Sequence, residues 1–308
     1  MARSVSRHKT ASKEIVLATL ERSVNYCNSH HRPVQEMFES TVDSLVTPDS
    51  CGKEFETRRK DMKALFPVLL DKDLQGFIPS LSIDQDQVDL AADAFLSIWF
   101  TKWAMKFIGA WKTSPSSRVA KAKQATTDEA LVQMVIPHAG SEENARMWAM
   151  HHNLFMSAEN VGGNLLEQYI ASKIRPFGWI WCRGEILTAV DFCNDACSCF
   201  LQVKNKSNTE NSSSKGFRES HKAPMWYRME AKRRDGTIVT HWSELTTLIK
   251  EGATSSKPVP CDLFSEEDYL AFVYRASVDN PYLITPIEYG VNVCDVALNP
   301  LMRPSKEA

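Results

Sequence analysis

Residues 191–204 read DFCNDACSCFLQVK, and this stretch decides the fold that the sequence predicts. Side chains alternate across a β-strand, so Gln202 and Lys204 share one face while their apolar neighbours occupy the other. A turn is predicted at residues 194–195, between this strand and the strand that Asp191 ends. The resulting hairpin places Asp191 beside Gln202 and Lys204 at the exposed rim of a small sheet.

The residues before the hairpin predict a helix followed by strands. Ser157 is a good N-cap for a helix over residues 158–175, which a proline and a glycine then end. Strand-like segments follow at residues 179–182, 185–192 and 197–204. The order helix, strand, strand, strand indicates an α/β fold, in which a mixed β-sheet is flanked by helices.

The N-terminal half of the chain has a different pattern. Residues 11–158 carry apolar side chains at helical spacing, which predicts a large helical N-terminal region. The most apolar stretch, residues 95–111, is interrupted by two lysines, which favours a buried amphipathic helix over a membrane span. No secretory signal is recognisable at the N-terminus, so we expect a cytoplasmic protein with reduced cysteines and no membrane partner.

The charge of the whole chain excludes a polycation, because its formal net charge is only −2. A local excess is nevertheless present in residues 204–234, where nine Lys and Arg stand against three Glu, and 9 − 3 gives +6. Such a basic segment is the electrostatic footprint of contacts with nucleic-acid phosphates. For the polar loop of residues 205–214 within this segment, the alternative interpretation is a hydrophilic surface loop.

The residues of the hairpin are those that phosphodiester hydrolysis requires. Carboxylate and carbonyl oxygens such as those of Asp191 and Gln202 hold a hard cation such as Mg²⁺. The cation polarises the phosphate, and a lysine such as Lys204 orients the attacking water and neutralises charge in the transition state. Because Gln202 is neutral, we expect a second carboxylate from elsewhere in the chain.

The helix before the hairpin supplies that carboxylate. Asn160, Gly163 and Glu167 are spaced i, i+3 and i+7 and share one stripe of the helix, so Glu167 faces the rim of the sheet. Glu159 is the rival candidate. Its alternative interpretation is an acid in the first turn of the helix, where it complements the helix dipole.

Each of these signals is weak by itself. An Asp followed eleven residues later by Gln-x-Lys occurs by chance in many strands, and a single lysine is more often solvated than catalytic. The order of the elements favours a nuclease. Two rivals stay open: a structure- or damage-directed DNA nuclease such as a junction resolvase, and a non-catalytic DNA-binding protein with a degenerate nuclease fold.

Cys193, Cys197 and Cys199 indicate packing thiols in preference to a zinc site, because no matching distant pair is present.

The same segments resemble a known family. The sequences that carry the resemblance are ENVGGNLLEQYI at residues 159–170, GWIWCRG at 178–184, AVDF at 189–192 and LQVKNKSNTENSSS at 201–214. Over residues 157–230 they are similar to type II restriction endonucleases of the PD-(D/E)xK superfamily, most of all to the SinI-type group. The resemblance implies a PD-(D/E)xK nuclease core and Mg²⁺-dependent, site-specific hydrolysis of double-stranded DNA, at a GG(A/T)CC-like site.

The resemblance also assigns roles and partners. It implies that Asp191, Gln202 and Glu167 hold the metal and that Lys204 completes the catalytic set. Gln202 departs from the usual Asp or Glu, a change that other members share. A homodimer is implied, because cutting both strands of a symmetric site requires two active centres related by a twofold axis. A cognate DNA methyltransferase acts on the same site but need not bind this chain.

The remaining predictions concern DNA contacts and domains. Asn, Ser, Lys and Arg side chains after the catalytic strand can contact phosphates and base edges. The predicted DNA-binding residues are Asn205, Lys206, Ser207, Asn208, Asn211, Ser212, Ser213, Ser214, Lys215, Arg218 and Arg228, the two arginines being the candidates for guanine contacts. We predict that residues 1–150 form a helical region for dimerisation or for clamping DNA, and that residues 151–308 form the catalytic and recognition domain.

Overall fold

The computed structural model describes residues 9–120, 128–206, 223–230 and 236–284. Helices dominate the N-terminal half, as the apolar spacing predicts. The α-helices are α1 (Lys13–Ser29), α2 (Val34–Leu45), α3 (Pro48–Cys51), α4 (Phe55–Ala64), α5 (Pro67–Leu70), α6 (Ala92–Trp111), α7 (Glu129–Ala139), α8 (Glu142–Ile174), α9 (Trp242–Glu251) and α10 (Glu266–Asp279). Short 3₁₀ turns connect several of them.

A four-stranded mixed sheet lies in the C-terminal half, and it confirms the predicted α/β class. Its strands are β1 (Trp179–Trp181), β2 (Phe192–Asn194), β3 (Phe200–Lys206) and β4 (Met225–Met229). They are arranged in the order β1-β2-β3-β4. The first three are antiparallel neighbours, whereas β4 pairs with β3 in parallel.

Helices cover both faces of the sheet, because alternate strand residues enter two different hydrophobic clusters. Cys193 and Phe200 belong to the cluster built by α1, α2 and α6, and the ring of Phe200 lies 4.7 Å from that of Phe77. Leu201 and Val203 belong to the cluster built by α8, α9 and α10. The strict alternation of residues 200–203 therefore reflects two buried faces.

The N-terminal helices thus share their core with the sheet across residue 150. The division of function at residue 150 stays a prediction.

Within the described ranges, no helix is both long and apolar enough to cross a membrane. Cys193 and Cys197 are buried, and the Cys197 thiol donates to the carbonyl of Ala64 at 3.1 Å, which ties the hairpin to α4.

The helix predicted to begin at Ser157 begins sixteen residues earlier, so that prediction is wrong. Ser141 is the N-cap, and its hydroxyl accepts a hydrogen bond from the backbone N–H of Asn144 at 3.1 Å. Helix α8 then continues without interruption through Ser157 to Ile174. The sequence does not distinguish a serine inside a helix from a serine at an N-cap. The additional turns of α8 are stabilised by α7, which packs along its first half.

The strand predicted at residues 185–192 is also wrong over most of its length. Glu185 and Ala189 have positive φ angles of 54° and 58°, which a regular strand excludes. The apolar residues of this segment are buried against the N-terminal helices, and the Trp103 indole donates to the carbonyl of Ile186 at 2.8 Å. Their apolar character reflects burial and not β-pairing. Strand β4 was not predicted, because it lies in the basic stretch.

Candidate active site

Asp191 lies one residue before β2 and extends its pairing with β3. Its backbone N–H donates to the carbonyl of Leu201 at 2.9 Å. Its carboxylate Oδ2 accepts the backbone N–H of Val203 at 2.7 Å. Since Phe192 pairs with Leu201, Asp191 comes opposite Gln202. The antiparallel pairing of the two strands therefore brings Asp191 next to Gln202, as predicted.

The hairpin does not leave this group at a fully exposed rim. Gln202 is buried, and its backbone N–H donates to the carbonyl of Pro224 at 3.0 Å, at the entry to β4. Asp191 and Lys204 are half-buried. The parallel pairing of β3 with β4 covers the edge that the sequence pattern leaves open.

Helix α8 crosses β3 closely enough to bring Glu167 to the hairpin. A Cβ atom at Gly162 would lie 3.3 Å from Nδ2 of Asn205, a tighter distance than most side chains tolerate. This glycine, and not Gly163, permits the approach of the helix to the end of β3. Further along α8, the carboxylate Oε2 of Glu167 accepts a hydrogen bond from the Trp181 indole at 3.0 Å.

Burial raises the pKa of Glu167, and the nearby charge of Asp191 raises it further. The Trp181 hydrogen bond and the positive charges of Lys204 and Arg183 act in the opposite direction. Burial also raises the pKa of Asp191, against the hydrogen bond from Val203 and the charge of Lys204. Two carboxylates thus lie in one poorly hydrated site beside a lysine, and the charge of Asp191 disfavours the ionisation of Glu167.

Glu159 has a different environment. Its carboxylate accepts a hydrogen bond from Lys206 Nζ at 2.8 Å, and about half of each side chain is exposed. The structure therefore places Glu167 beside Asp191 and Lys204, and it places Glu159 in a surface ion pair at the end of β3.

Three of the predicted DNA-binding residues are described, and they lie together at the C-terminal end of β3 and on β4. Arg228 donates from Nε to the Asn205 side chain at 3.2 Å, forms an ion pair with Glu266 and lies 5.1 Å from the Tyr269 ring. Its guanidinium is therefore already engaged within the protein, whereas Lys206 is exposed. The others lie outside the described residues: Ser207, Asn208, Asn211, Ser212, Ser213, Ser214, Lys215 and Arg218.

Two residues beside the site were not predicted to belong to it, Trp181 and Arg183. The Arg183 guanidinium is buried, lies 4.9 Å from the Trp181 ring and 5.2 Å from the Trp111 ring, and donates to the carbonyl of Thr113. Burial lowers the pKa of Arg183 to about 10, and the neighbouring charges of Arg118 and Arg58 act in the same direction. Strand alternation marks Trp181 as buried, but it carries no signal for a hydrogen bond to Glu167.

The residues present fit a hard divalent cation. Each of the two carboxylates has one oxygen held by a protein N–H, from Trp181 to Glu167 and from Val203 to Asp191, and within the described residues this leaves the other oxygen of each for a cation. A cation between them would remove their mutual repulsion. Across the described part of the chain, no cluster of three or more His, Cys, Asp and Glu is arranged to hold a metal. Gln202, opposite Asp191 in the register of the hairpin, carries a side-chain amide oxygen of the kind that such a cation also accepts.

Fold and site together define an α/β protein with an acidic, lysine-bearing centre on a β-hairpin. The family model described as SinI restriction endonuclease matches residues 104–264, just over half of the chain. This chain belongs to the SinI restriction endonuclease family, which confirms the resemblance in the sequence. The match begins within α6 and extends past α9, so it includes the whole sheet.

Two curated relatives support the assignment. The chain is 40% identical over 136 residues to the type II restriction enzyme Eco47I of Escherichia coli, which covers 42% of this chain and 53% of that protein. It is 38% identical over 137 residues to the type II restriction enzyme SinI of Salmonella infantis, covering 43% of this chain and 53% of that protein. The chain spans about half the length of the curated relatives it matches.

Proposed function

We propose that this chain is a type II restriction endonuclease that hydrolyses double-stranded DNA at a short specific sequence, with a PD-(D/E)xK centre built from Glu167, Asp191, Gln202 and Lys204. The observation that carries the proposal is the pair of desolvated carboxylates, Glu167 and Asp191, beside Lys204 on a β-hairpin. Membership of a restriction endonuclease family supports the same reaction. The departure of Gln202 from the acidic pattern leaves Glu167 as the second carboxylate.

The cofactor we propose is Mg²⁺, held by oxygens of Asp191, Glu167 and Gln202. A bound Mg²⁺ would polarise the scissile phosphate and lower the pKa of a water. The protein's contribution is to hold the oxygens in place before the cation arrives. The N–H groups of Trp181 and Val203 do this for the two carboxylates.

Lys204 has a separate task. It lies on the same strand face as Gln202, close enough to both carboxylates to lower their pKa values. An ammonium group there can hold the attacking water by a hydrogen bond and neutralise the charge that develops on the phosphate oxygens. Its half-buried position strengthens both interactions, because little water screens them.

The DNA would run past the end of β3, where Asn205 and Lys206 begin the basic segment. The proposed contacts with phosphates and bases that follow are Ser207, Asn208, Asn211, Ser212, Ser213, Ser214, Lys215 and Arg218. For Arg228, the ion pair with Glu266 favours support of Asn205 over direct contact with a guanine. A GG(A/T)CC-like sequence is the target that the SinI resemblance suggests.

A symmetric target calls for a homodimer, one centre for each strand. The helical region of residues 1–150 would support that assembly or clamp the duplex, while residues 151–308 carry catalysis and recognition. In the cell, we place the protein in the cytoplasm, with a cognate methyltransferase that modifies the same sequence without a need to bind this chain.

Digestion of unmethylated phage DNA tests the function. We expect discrete bands with Mg²⁺, none with EDTA and none from Asp191→Asn, in which the amide oxygen can still accept the N–H of Val203. The matched control is Asp195→Asn, which removes an exposed carboxylate from the turn of the same hairpin and should cut normally.

The outcomes separate the rival functions. Bands with fixed ends from plain duplex support restriction. Cutting confined to branched or damaged DNA would establish a structure-directed nuclease. Salt-dependent binding without cutting under any condition would leave a non-catalytic DNA-binding protein with a degenerate nuclease fold.

A further inference from the structure

Arg183 is a buried arginine that has no ion-pair partner among the described residues. It lies two residues after β1, and only 5% of the residue is exposed. Its guanidinium donates to the carbonyl of Thr113, which occupies one of the five N–H groups that an arginine carries. Within the described part of the chain, the other four N–H groups have neither a hydrogen-bond acceptor nor a carboxylate.

The other arginines with little exposure differ from Arg183 in this respect. In the described ranges, three of them have side chains that are at most 24% exposed, and each is paired with a carboxylate. The pairs are Arg58 with Glu54, Arg59 with Asp43 and Arg228 with Glu266. Burying a cation without a counter-ion costs free energy, which an anion bound at the site would offset. Arg183 therefore has the environment of a residue whose anion comes from a ligand.

Two tryptophan rings enclose the guanidinium of Arg183. Its central carbon lies 4.9 Å from the centre of the Trp181 ring and 5.2 Å from that of the Trp111 ring. A cation over an aromatic face is stabilised by the charge distribution of the ring and not by a hydrogen bond. The rings thus hold the guanidinium in place while its N–H groups stay available to an anion.

The charges near Arg183 are mainly positive. The guanidinium of Arg58 lies 3.9 Å from the centre of the Trp111 ring, so both arginines contact one indole. Burial lowers the pKa of Arg183 to about 10, and the charges of Arg118 and Arg58 act in the same direction. The charge of Glu167 raises that pKa. Arg183 is therefore still protonated at neutral pH, and the neighbouring positive charges add to its attraction for an anion.

The indole of Trp181 connects Arg183 to the candidate active site. The face of its ring lies beside the guanidinium, and its N–H donates to Oε2 of Glu167 at 3.0 Å. The cation and the carboxylate therefore lie at the face and at the edge of the same side chain. An anion bound by Arg183 would lie close to the cation proposed for Glu167.

The loop that accepts the hydrogen bond of Arg183 is fixed to α8. Ser116 follows Thr113 in this loop and forms two hydrogen bonds of 2.9 Å with the side chain of Gln168, the residue after Glu167. Arg183 donates to the same loop at Thr113. The spacing between the guanidinium and Glu167 is thus set by a rigid group of contacts, which a binding site requires.

We propose that Arg183 binds a phosphate group of the DNA strand that is cut, at or next to the scissile bond, through the N–H groups that the protein leaves unpaired. A phosphate accepts the two parallel hydrogen bonds that the planar end of an arginine offers. The contact lies outside the basic segment of residues 204–234. The assignment rests on the proposed function, because Glu167 marks the position of the scissile bond.

The surroundings of Arg183 leave a phosphate room to approach. Among the described residues, Nε and Nη1 of Arg58 are shielded from water without a partner, but no nitrogen of Arg183 is. Thr113, which accepts its hydrogen bond, and Gly184, which follows it in the chain, are both exposed. The guanidinium therefore lies directly beneath the surface and not in the interior of the core.

Arg183→Gln and Arg183→Lys separate a phosphate contact from a structural role. Glutamine loses the charge, whereas lysine keeps the charge and loses the paired donors. In EDTA, Arg183→Gln should weaken duplex binding about 10-fold and lower its salt dependence by about one unit of slope. Arg183→Lys should restore the slope but not the full affinity. The matched control is Arg59→Gln, which removes an arginine that also donates to a carbonyl, that of Val46, and should bind like the wild type.

A scan of the DNA backbone locates the contact. Each duplex has one phosphate replaced by an uncharged methylphosphonate, and it carries the sequence cut in phage DNA or, without cutting, the sequence that the protein selects from random duplexes. The wild type should lose affinity at every phosphate that it contacts. Arg183→Gln should be insensitive at one of these phosphates, at or next to the cut, and equally sensitive at the others, because only that contact is already lost. Circular dichroism of each variant checks its fold.

An Arg183→Gln protein that keeps the wild-type sensitivity at every position would overturn the proposal, as would an insensitive phosphate remote from the cut. A wild type that does not bind DNA would overturn it too. Digestion of phage DNA by the same samples distinguishes this failure from that of the function. A wild type that cuts while the scan of Arg183→Gln is unchanged keeps the function and refutes the contact. A single insensitive phosphate in a protein that never cuts keeps the contact and refutes the function alone.

Discussion

The Trp181 indole donates its N–H to Oε2 of Glu167 at 3.0 Å, so a buried side chain of β1 fixes the carboxylate that α8 brings to the hairpin. This bond selects which Glu167 oxygen remains for a cation. It also stabilises the ionised form of a carboxylate whose surroundings otherwise favour the protonated form.

Trp181→Phe should keep the ring and lose the bond. We expect cation affinity and cleavage rate to fall about 10-fold each, the usual loss for a hydrogen bond to a charged group. Calorimetric titration with Mn²⁺ measures the first and single-turnover cleavage the second. Trp99→Phe is the control, since Trp99 is fully buried and its N–H has no partner within the described residues. Equal effects of both variants would reduce the role of Trp181 to packing.

Glu167→Gln and Glu159→Gln form a matched pair on one helix. Glu167 shares a desolvated site with Asp191, so its neutral variant should lower cation affinity by at least about 10-fold. Glu159 is paired with Lys206 at the surface, and its variant should change that affinity less than about twofold. Titration with Mn²⁺ in the absence of DNA measures both. The reverse order would make Glu159 the helix acid.

Lys204→Met and Lys206→Met form a second pair, two residues apart on β3. Lys204→Met should lower single-turnover cleavage by about 100-fold or more while duplex affinity changes little, because its charge acts on the reacting phosphate. Lys206→Met should keep the cleavage rate and flatten the salt dependence of binding by about one unit of slope. Normal cleavage by Lys204→Met would remove Lys204 from the catalytic set.

Asp61 predicts a pH dependence of stability. Burial raises the pKa of Asp61 to about 6, although Nη1 of Arg175 lies 2.5 Å from its Oδ2 and lowers the pKa. The unfolded pKa of an aspartate is about 3.9, so the folded protein binds the Asp61 proton more tightly than the unfolded chain does. The stabilisation that this proton gives the folded state is therefore greatest below pH 4 and is lost as pH rises through 6. Relative to Asp61→Asn, the free energy of unfolding should fall by up to about 3 kcal/mol between pH 4 and pH 7.

Urea unfolding of the wild type and Asp61→Asn at intervals of pH measures that difference. Asp279→Asn, which changes an exposed residue at the end of α10, should follow the wild type at every pH. A difference between the wild type and Asp61→Asn that does not vary with pH would show that Asp61 stays ionised in the folded protein.

Much of the site was predictable because it depends on short-range geometry. The alternation of residues 200–204 predicts which side chains share a strand face, and a hairpin turn brings Gln202, eleven residues after Asp191, back beside it. The spacing of Glu167 from Asn160 selects one stripe of a helix. These inferences need only the periods of a strand and a helix, which any chain with this pattern shares.

Other features depended on partners far away in the sequence. The apolar residues 186–190 look like a strand, and only their burial against α6 turns them into a loop with positive φ angles. Arg228 looks free to read DNA until Glu266, 38 residues later, forms an ion pair with it. A single sequence has no signal for such pairings.

The sequence by itself therefore determined the hairpin, the identity of the candidate catalytic side chains and the family, since these follow from local periodicity and from a specific run of residues. Only the tertiary structure decided that α8 is one helix of 33 residues and that Trp181 donates a hydrogen bond to Glu167. The physical reason is that burial and hydrogen bonding at these positions are set by elements packed together from distant parts of the chain, and local preference is too weak to determine them.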